Sequence, residues 1–161
     1  MVAFATNRFR NGKIDLTFPS SQPQKDLAKY INFDGEVSDD SYYLDTNNKY
    51  YKMITEKIDD PRSVLQLRKY EVRDKGVNVV PTLTANMGQG GHNVPFILDK
   101  KGLRKLTEYE CLRIQGFPSN YVFPEYVPRA KRYQQVGNSV VPPLIDLIAA
   151  RINKKIEAER I

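Results

Sequence analysis

The sequence predicts an α+β fold: a small domain of twisted antiparallel strands followed by a helical C-terminal segment. Three observations point to it. The run VLQLRKYEVR, residues 64–73, alternates with the period of a strand, and further extended runs follow it. Thr107 and Glu110 stand at capping-box spacing, where each side chain satisfies a backbone N–H of the first helical turn. After Pro142 and Pro143, the residues Leu144, Ile145, Ile148, Ile152 and Ile156 recur at the three-to-four spacing of a helix with one apolar stripe.

Taken in order, MVAFATNRF opens as a strand over residues 2–6, and KIDLTFPSS is a second extended piece ending at Pro19. QKDLAKYI suits one or two helical turns. Residues 34–48 are polar and turn-rich and are expected to form an exposed loop, while YYKMITEKI has mixed periodicity that assigns no class. As one strand, VLQLRKYEVR would put Leu65, Leu67, Lys69, Glu71 and Arg73 on one face and Gln66, Arg68, Tyr70 and Val72 on the other. DKG reads as the turn that ends it. VNVVPTLTA is the next strand, with Pro81 implying an edge or bulge because proline has no N–H to donate. NMGQGGHN is a loop, VPFIL a third strand and DKKG a turn. The helix starting at Thr107 would draw apolar contacts from Tyr109, Leu112 and Ile114 and stop at Gly116 and Pro118. RAKRYQQVGNS reads as a short basic helix entering a turn. The outer face of the last helix carries Arg151, Lys154, Lys155 and Glu157.

The chain has 161 residues, room for one domain with a modest core or a small domain with extensions. Its 40% hydrophobic and 27% charged content fits a folded soluble protein. No apolar run approaches the roughly 18 residues of a membrane span, and MVAFATNRFR lacks the pattern of a secretory leader. Cys111 is the only cysteine, which excludes an internal disulfide and a cysteine zinc site and favours an intracellular, cytoplasmic setting. His92 is the only histidine, so no metal centre is expected. Lys and Arg number 25 against 19 acids, which suits a polyanion partner. Residues 34–48 carry five acids and no base, whereas residues 101–132 carry seven bases and three acids. One side is therefore expected to face phosphates and another not. The alternative is an ordinary solvated surface.

The stretch PTLTANMGQGGHNVP, residues 81–95, has three glycines and no charged side chain. A phosphate cradle would need successive amides at a helix N-terminus. This loop runs into a strand instead, with no lysine after its glycines. Gly90 and Gly91 would let the backbone approach a groove closely. Asn86, Gln89, His92 and Asn93 carry neutral donors and acceptors suited to base edges. An alternative for His92 is a turn or core histidine satisfied by backbone. Cys111 follows a glutamate on a helix, where an acidic neighbourhood raises a thiol pKa. It is expected to be a small, half-buried helix residue, not a nucleophile.

Three phrases occur in order: QLRKYEVR with PTLTANMG, then LTEYECLRIQGFP, then VGNSVVPPL. Together they resemble the C-terminal part of a C5-cytosine DNA methyltransferase: its target recognition domain, its ninth motif and its tenth. The match is specific over residues 64–150, looser over residues 1–20 and not made over residues 22–63. The resemblance implies domains at residues 1–20 (terminal strand and linker of a catalytic domain), 21–135 (target recognition) and 136–161 (the GNSVVPP turn and helix, packing on a Rossmann-like catalytic domain). It implies two recognition loops for the DNA major groove, with Gln66, Arg68, Lys69 and Arg73 as candidates in the first and Asn86, Gln89, Gly90, Gly91, His92 and Asn93 in the second. Without the resemblance, the first set would read as the solvated face of a strand.

In the tenth motif, the turn at Gly137, with Asn138, Ser139 and Val140, would lie beside S-adenosylmethionine. Asn138 or Ser139 would also suit as N-cap of the last helix. In the ninth motif, Arg104, Thr107, Glu110 and Arg113 match, with Arg113 expected to be buried against a carboxylate such as Glu110. The family's Phe-x-Gly-x-Gly, Pro-Cys-Gln and Glu-Asn-Val segments do not occur in this sequence. The expectation is a recognition part of a DNA (cytosine-5-)-methyltransferase of a restriction–modification system, inactive alone and partnered by double-stranded DNA and a catalytic part. Met1 falls where the eighth motif would have ended, which fits one subunit of a split enzyme or a piece of a longer chain. Val2, Phe4 and the last helix would otherwise expose an apolar patch and favour self-association. The rival reading is a free-standing DNA-binding or scaffold protein derived from such an enzyme.

Overall fold

The computed structural model describes residues 25–68, 71–89 and 93–158. It separates into two units, Gln24–Val141 and a second that joins Met1–Pro23 to Pro142–Ile161. The strand expected over residues 2–6, the extended piece ending at Pro19, and the side chains of Val2 and Phe4 lie outside the described residues.

The first unit is built on a four-stranded antiparallel sheet in the order β2-β1-β3-β4, which makes the fold α+β. β1 (Ser63–Arg68) and β2 (Glu71–Val77) form a hairpin; β3 (Phe96–Leu98) and β4 (Leu103–Lys105) form a second. The run read as one strand is thus two, pairing Arg68 with Glu71, Leu67 with Val72 and Gln66 with Arg73. Directly opposed residues share a face, so the fold-back moves Glu71 and Arg73 to the side of Gln66 and Arg68. Leu65, Leu67 and Val72 share the other side and are buried. DKG is a bulge inside β2: the register shifts between Ser63 and Leu65, and Gly76 takes φ 77° with its N–H donating to Asp74 Oδ1 at 2.6 Å. The strand expected in VNVVPTLTA does not form. Asn78 turns the chain at φ 63°, and residues 79–84 run without ladder partners around Pro81.

The sheet separates two apolar clusters. On one face Leu65, Leu67, Val72, Phe96 and Leu103 close over Ile54 of α1 (Tyr51–Thr55), the stretch whose periodicity assigned no class. On the other, Val64 and Ile97 join Leu106, Cys111, Leu112, Tyr133 and Val136 of the segment that carries α2 (Glu108–Gln115) and α3 (Arg129–Asn138). The start of α2 is as expected. Thr107 Oγ1 accepts from the Glu110 N–H, and Glu110 returns a carboxylate to the Thr107 N–H. Gly116 closes it at φ 89°. Residues 34–48 are less loop-like than their composition implies. Phe33 before them and Tyr42 within them are buried, and Tyr43 bridges to Arg104. In the second unit, α4 (Pro142–Ala158) begins at the two prolines. Its Leu144, Ile145 and Leu147 are exposed, and Ile148, Ile152 and Ile156 are half-buried. No described helix is long and apolar enough to cross a membrane.

The charged centre of the first unit is Arg104, which has no exposed surface. Its Nε donates to Asp99 Oδ2 at 2.6 Å, and its two terminal nitrogens donate to the two Glu110 oxygens, each at 2.8 Å. The remaining donors reach the carbonyls of Lys105 and Asn32. Arg113, expected in this role, is exposed. The partner of Glu110 comes from a strand, not from the next turn of its own helix. Burial alone would raise the Glu110 carboxyl. The Arg104 guanidinium and the N–H groups of Thr107 and Asn32 outweigh that and hold it below its ordinary value.

Arg104→Ala leaves two buried carboxylates without their counter-charge, and a loss of roughly 3–5 kcal/mol is expected in denaturant unfolding. Glu110, depressed in the folded chain, contributes stability that is complete above its ordinary value of 4.5 and is lost as pH falls through its lower folded value. Glu110→Gln should therefore flatten the acid limb of a stability–pH curve below about pH 4.5. An acid limb identical to wild type would contradict the assignment.

Candidate nucleic-acid interface

The two sequence-predicted recognition segments leave the sheet at one end. Leu65 of β1 opposes Phe96 of β3 in antiparallel register, so the chain entering β3 lies alongside the run from Gln66 to Arg68. The end of β1 and residues 93–95, where the chain leaves the glycine loop, are thereby neighbours in the fold. Lys69, Gly90, Gly91 and His92 lie outside the described residues.

On the hairpin, the polar face gathers Gln66, Arg68, Glu71 and Arg73. Arg68 is exposed and Gln66 half-buried. Arg73 is not free: its Nε donates to Glu71 Oε2 at 2.9 Å, and both side chains are about half exposed.

The glycine loop is held by its own polar groups and by α3. Thr84 Oγ1 donates to Asn86 Oδ1, the Met87 N–H donates to the Thr84 carbonyl at 3.0 Å, and the Gln89 N–H donates to the Asn86 carbonyl at 3.2 Å. Asn93 Nδ2 closes the loop by donating to that same carbonyl at 3.4 Å. Met87 and Val94, both buried, anchor its two stems. Asn86 and Asn93 therefore shape the loop, while Gln89 is exposed with no side-chain hydrogen bond among the described residues. Two glycines bring α3 against this loop. A Cβ on Gly137 would meet the Thr84 carbonyl oxygen at 2.1 Å. Gly88 adopts φ +80°, and a Cβ there would meet the Ala130 carbonyl oxygen at 2.8 Å.

The tenth-motif residues lie differently from their expected turn. Gly137 and Asn138 are the last helical residues of α3, and Ser139 is its C-cap, with its N–H donating to the Val136 carbonyl at 3.1 Å. Ser139 Oγ donates to Gln115 Oε1 and to the Val136 carbonyl. Asn138 and Val140 are exposed. Cys111, expected to be half-buried, has no exposed surface; burial first, then the charges of Glu110 and Glu108, raise its thiol far above the reactive range.

Most of the bases in residues 101–132 have partners within the chain. Lys101 pairs with Asp40, Arg129 with Asp39, and Arg132 with buried Glu108 at 3.3 Å. Arg129 and Ser41, as hydrogen-bond donors to Asp39, lower its carboxyl to about 2, with Ser41 the larger influence. The acidic loop and the basic stretch, expected on different sides, thus meet. This pairing, the buried role of Arg104 and the burial of Tyr42 were not foreseen from the sequence. The runs of opposite charge themselves were the available sign of it.

A family model, C-5 cytosine-specific DNA methylase, matches residues 8–154. The chain belongs to this family. Type II methyltransferase M.Bsp6I of Bacillus sp. (strain RFL6) is 41% identical over 143 residues, 88% of this chain and 45% of the relative. M.HpaII of Haemophilus parainfluenzae is 41% identical over 64 residues, 40% of this chain and 17% of its own length. M.MspI of Moraxella sp is 46% identical over 59 residues, 36% of this chain and 14% of its own. The chain spans less than half the length of these curated relatives. No solved structure matches it.

Because α3 touches the loop backbone at Gly137, Gly137→Ala must push helix and loop apart. A destabilisation of roughly 1–3 kcal/mol is expected from denaturant midpoints, as for other overpacked sites. An unchanged midpoint would mean that the two do not pack this closely.

Proposed function

We propose that this chain supplies the DNA-reading part of a DNA (cytosine-5-)-methyltransferase in a restriction–modification setting. The observation that carries the proposal is that the chain leaving the glycine loop enters β3 beside Gln66 and Arg68 of the hairpin. Arg68 and Gln66 offer forked donors and an amide, the groups that pair with guanine and adenine edges in a major groove. Gln89 offers a second amide from a loop whose shape Asn86 and Asn93 fix without charge. Family membership and the naming of the relatives as Type II methyltransferases support the chemistry of the whole enzyme.

The reaction itself needs a thiolate on cytosine C6, an acid at N3 and a methyl donor beside an extruded base. Cys111 is buried and its thiol raised, so the proposal assigns those roles to a catalytic part that pairs with this chain. S-adenosylmethionine would supply an electrophilic methyl group. Asn138 and Val140 suit one rim of its pocket, an exposed amide beside an exposed apolar side chain. Ser139 does not, because its hydroxyl is committed to Gln115 and the Val136 carbonyl. On its own, the purified chain is expected to transfer no labelled methyl group from S-adenosylmethionine to DNA. Transfer that survives Cys111→Ala would demand another nucleophile in this chain.

Gln66→Ala and Arg68→Ala test the reading role directly. Each should change the preference of the assembled enzyme at one base position by about 1–3 kcal/mol, measured across a set of duplexes. An equal loss on every duplex would place these side chains on phosphate instead of bases.

A further inference from the structure

A cavity of about 190 Å³ opens beside the glycine loop, lined by Gly88, Ser41, Lys105, Arg129 and Ala130 between the Tyr42 and Tyr133 rings. That is roughly ten times the room one water needs. Its charge is unbalanced. Arg129 is held by Asp39, donates to Ser41 Oγ and stacks 4.2 Å over the Tyr42 ring. Lys105 has no carboxylate partner among the described residues, although it is half-buried. Desolvation, and then the charge of Arg129, lower its pKa, the mark of an ammonium short of negative charge. α3 begins at the same cavity, and Pro128 offers its first turn no side-chain cap. Uncapped N–H groups and the helix dipole add to the attraction for an anion. Gly88 is also the residue pressed onto Ala130, so whatever sits in the cavity sits against the stem of the recognition loop.

We infer that this cavity seats a backbone phosphate of the DNA, with Lys105 as its charge partner and the first turn of α3 as its backbone donor. The inference rests on the DNA-reading role proposed above and gives the loop a fixed register on the duplex. Phosphate contacts position a protein, while base contacts specify the sequence.

The test uses the 161-residue chain with a set of duplexes and, separately, inorganic phosphate. Lys105→Met keeps the aliphatic stem and removes the charge. It should weaken binding to every duplex by a similar factor and lower the slope of log K against log salt by about one, while Lys105→Arg preserves both. In wild type, duplex and inorganic phosphate should each protect Lys105 from acetylation, read by mass spectrometry. Protection by phosphate but not by duplex would overturn the inference in favour of a free-anion site. An unchanged salt slope in Lys105→Met, or a loss confined to one duplex, would overturn it as well. Two failures are distinguishable: if Gln66→Ala alters preference while Lys105→Met is silent, this inference alone falls, whereas a wild-type chain that binds no duplex overturns the reading role and this site together.

Discussion

The largest set of buried charges in the first unit is arranged around one buried cation. Arg104 sits on β4 with its side chain directed away from water, and a charge in that position is tolerable only when fully ligated. Asp99 arrives from the turn between β3 and β4, where its other oxygen accepts from the N–H groups of Lys101 and Gly102. Glu110 arrives from the first turn of α2, and Asn32 from the segment before the acidic loop. The Tyr43 hydroxyl donates to Asp99 at 2.8 Å and ties in the acidic loop. The β3–β4 turn, the start of α2 and the distant Asn32 are thus fixed to one guanidinium, with Tyr43 joined to it through Asp99. Its planar fork, with five donors, is what lets a single residue do this; a lysine, with three donors on one nitrogen, could not make all five contacts.

The same residues connect this centre to the candidate interface. Glu110 is at once the ion-pair partner of Arg104 and the second half of the capping box, so α2 cannot shift without disturbing both. α2 in turn carries Gln115, whose amide donates to the Val136 carbonyl and accepts from Ser139, fixing the end of α3. α3 then holds the glycine loop through Gly137 and Gly88, at distances that leave no room for a methyl group. The result is a loop of neutral side chains positioned by a chain of contacts that starts at a buried charge. Such a loop gains little from long-range electrostatics, and its stem lies next to the cavity where Lys105 does.

Where local chemistry decides structure, the sequence was readable. Thr107 with Glu110, Gly116, and the paired Pro142 and Pro143 each fix a helix end by a requirement of one or two residues, and all three ends fall as expected. VPFIL contains β3 for the same reason, being short, apolar and bounded by turns. The hairpin was not readable because Lys69 and Tyr70, which separate its strands, are not turn-forming residues; the glycine and asparagine that normally mark a two-residue turn are missing. With that turn unseen, the parity of Glu71 and Arg73 came out reversed. Arg113 was expected, as part of the ninth-motif match, to be buried against a carboxylate such as Glu110, yet tertiary packing brought Arg104 from a strand. Of the candidate interface, the residue types were legible. Which of them are free to reach a ligand was not, because Asn93 and Ser139 are engaged by partners that only the folded chain brings near, and Asn86 by Thr84 two residues away.

That distinction bears most on Arg73. It belongs to the polar face of the hairpin, yet Glu71 already accepts from its guanidinium. An exposed pair of this kind is worth about 0.2–1 kcal/mol and weakens with salt. A bidentate contact from arginine to a guanine edge is worth about 1–3 kcal/mol. On these magnitudes, were the hairpin to read bases as proposed, a correctly placed guanine would draw Arg73 away from Glu71, while any other base would leave the pair closed. Arg68, which has no carboxylate partner among the described residues, faces no such competition. The hairpin therefore presents two arginines of different readiness on one face. On the same proposal Glu71 would act against the wrong duplex, since an unreleased carboxylate at this edge would repel the phosphate backbone until Arg73 had found its base.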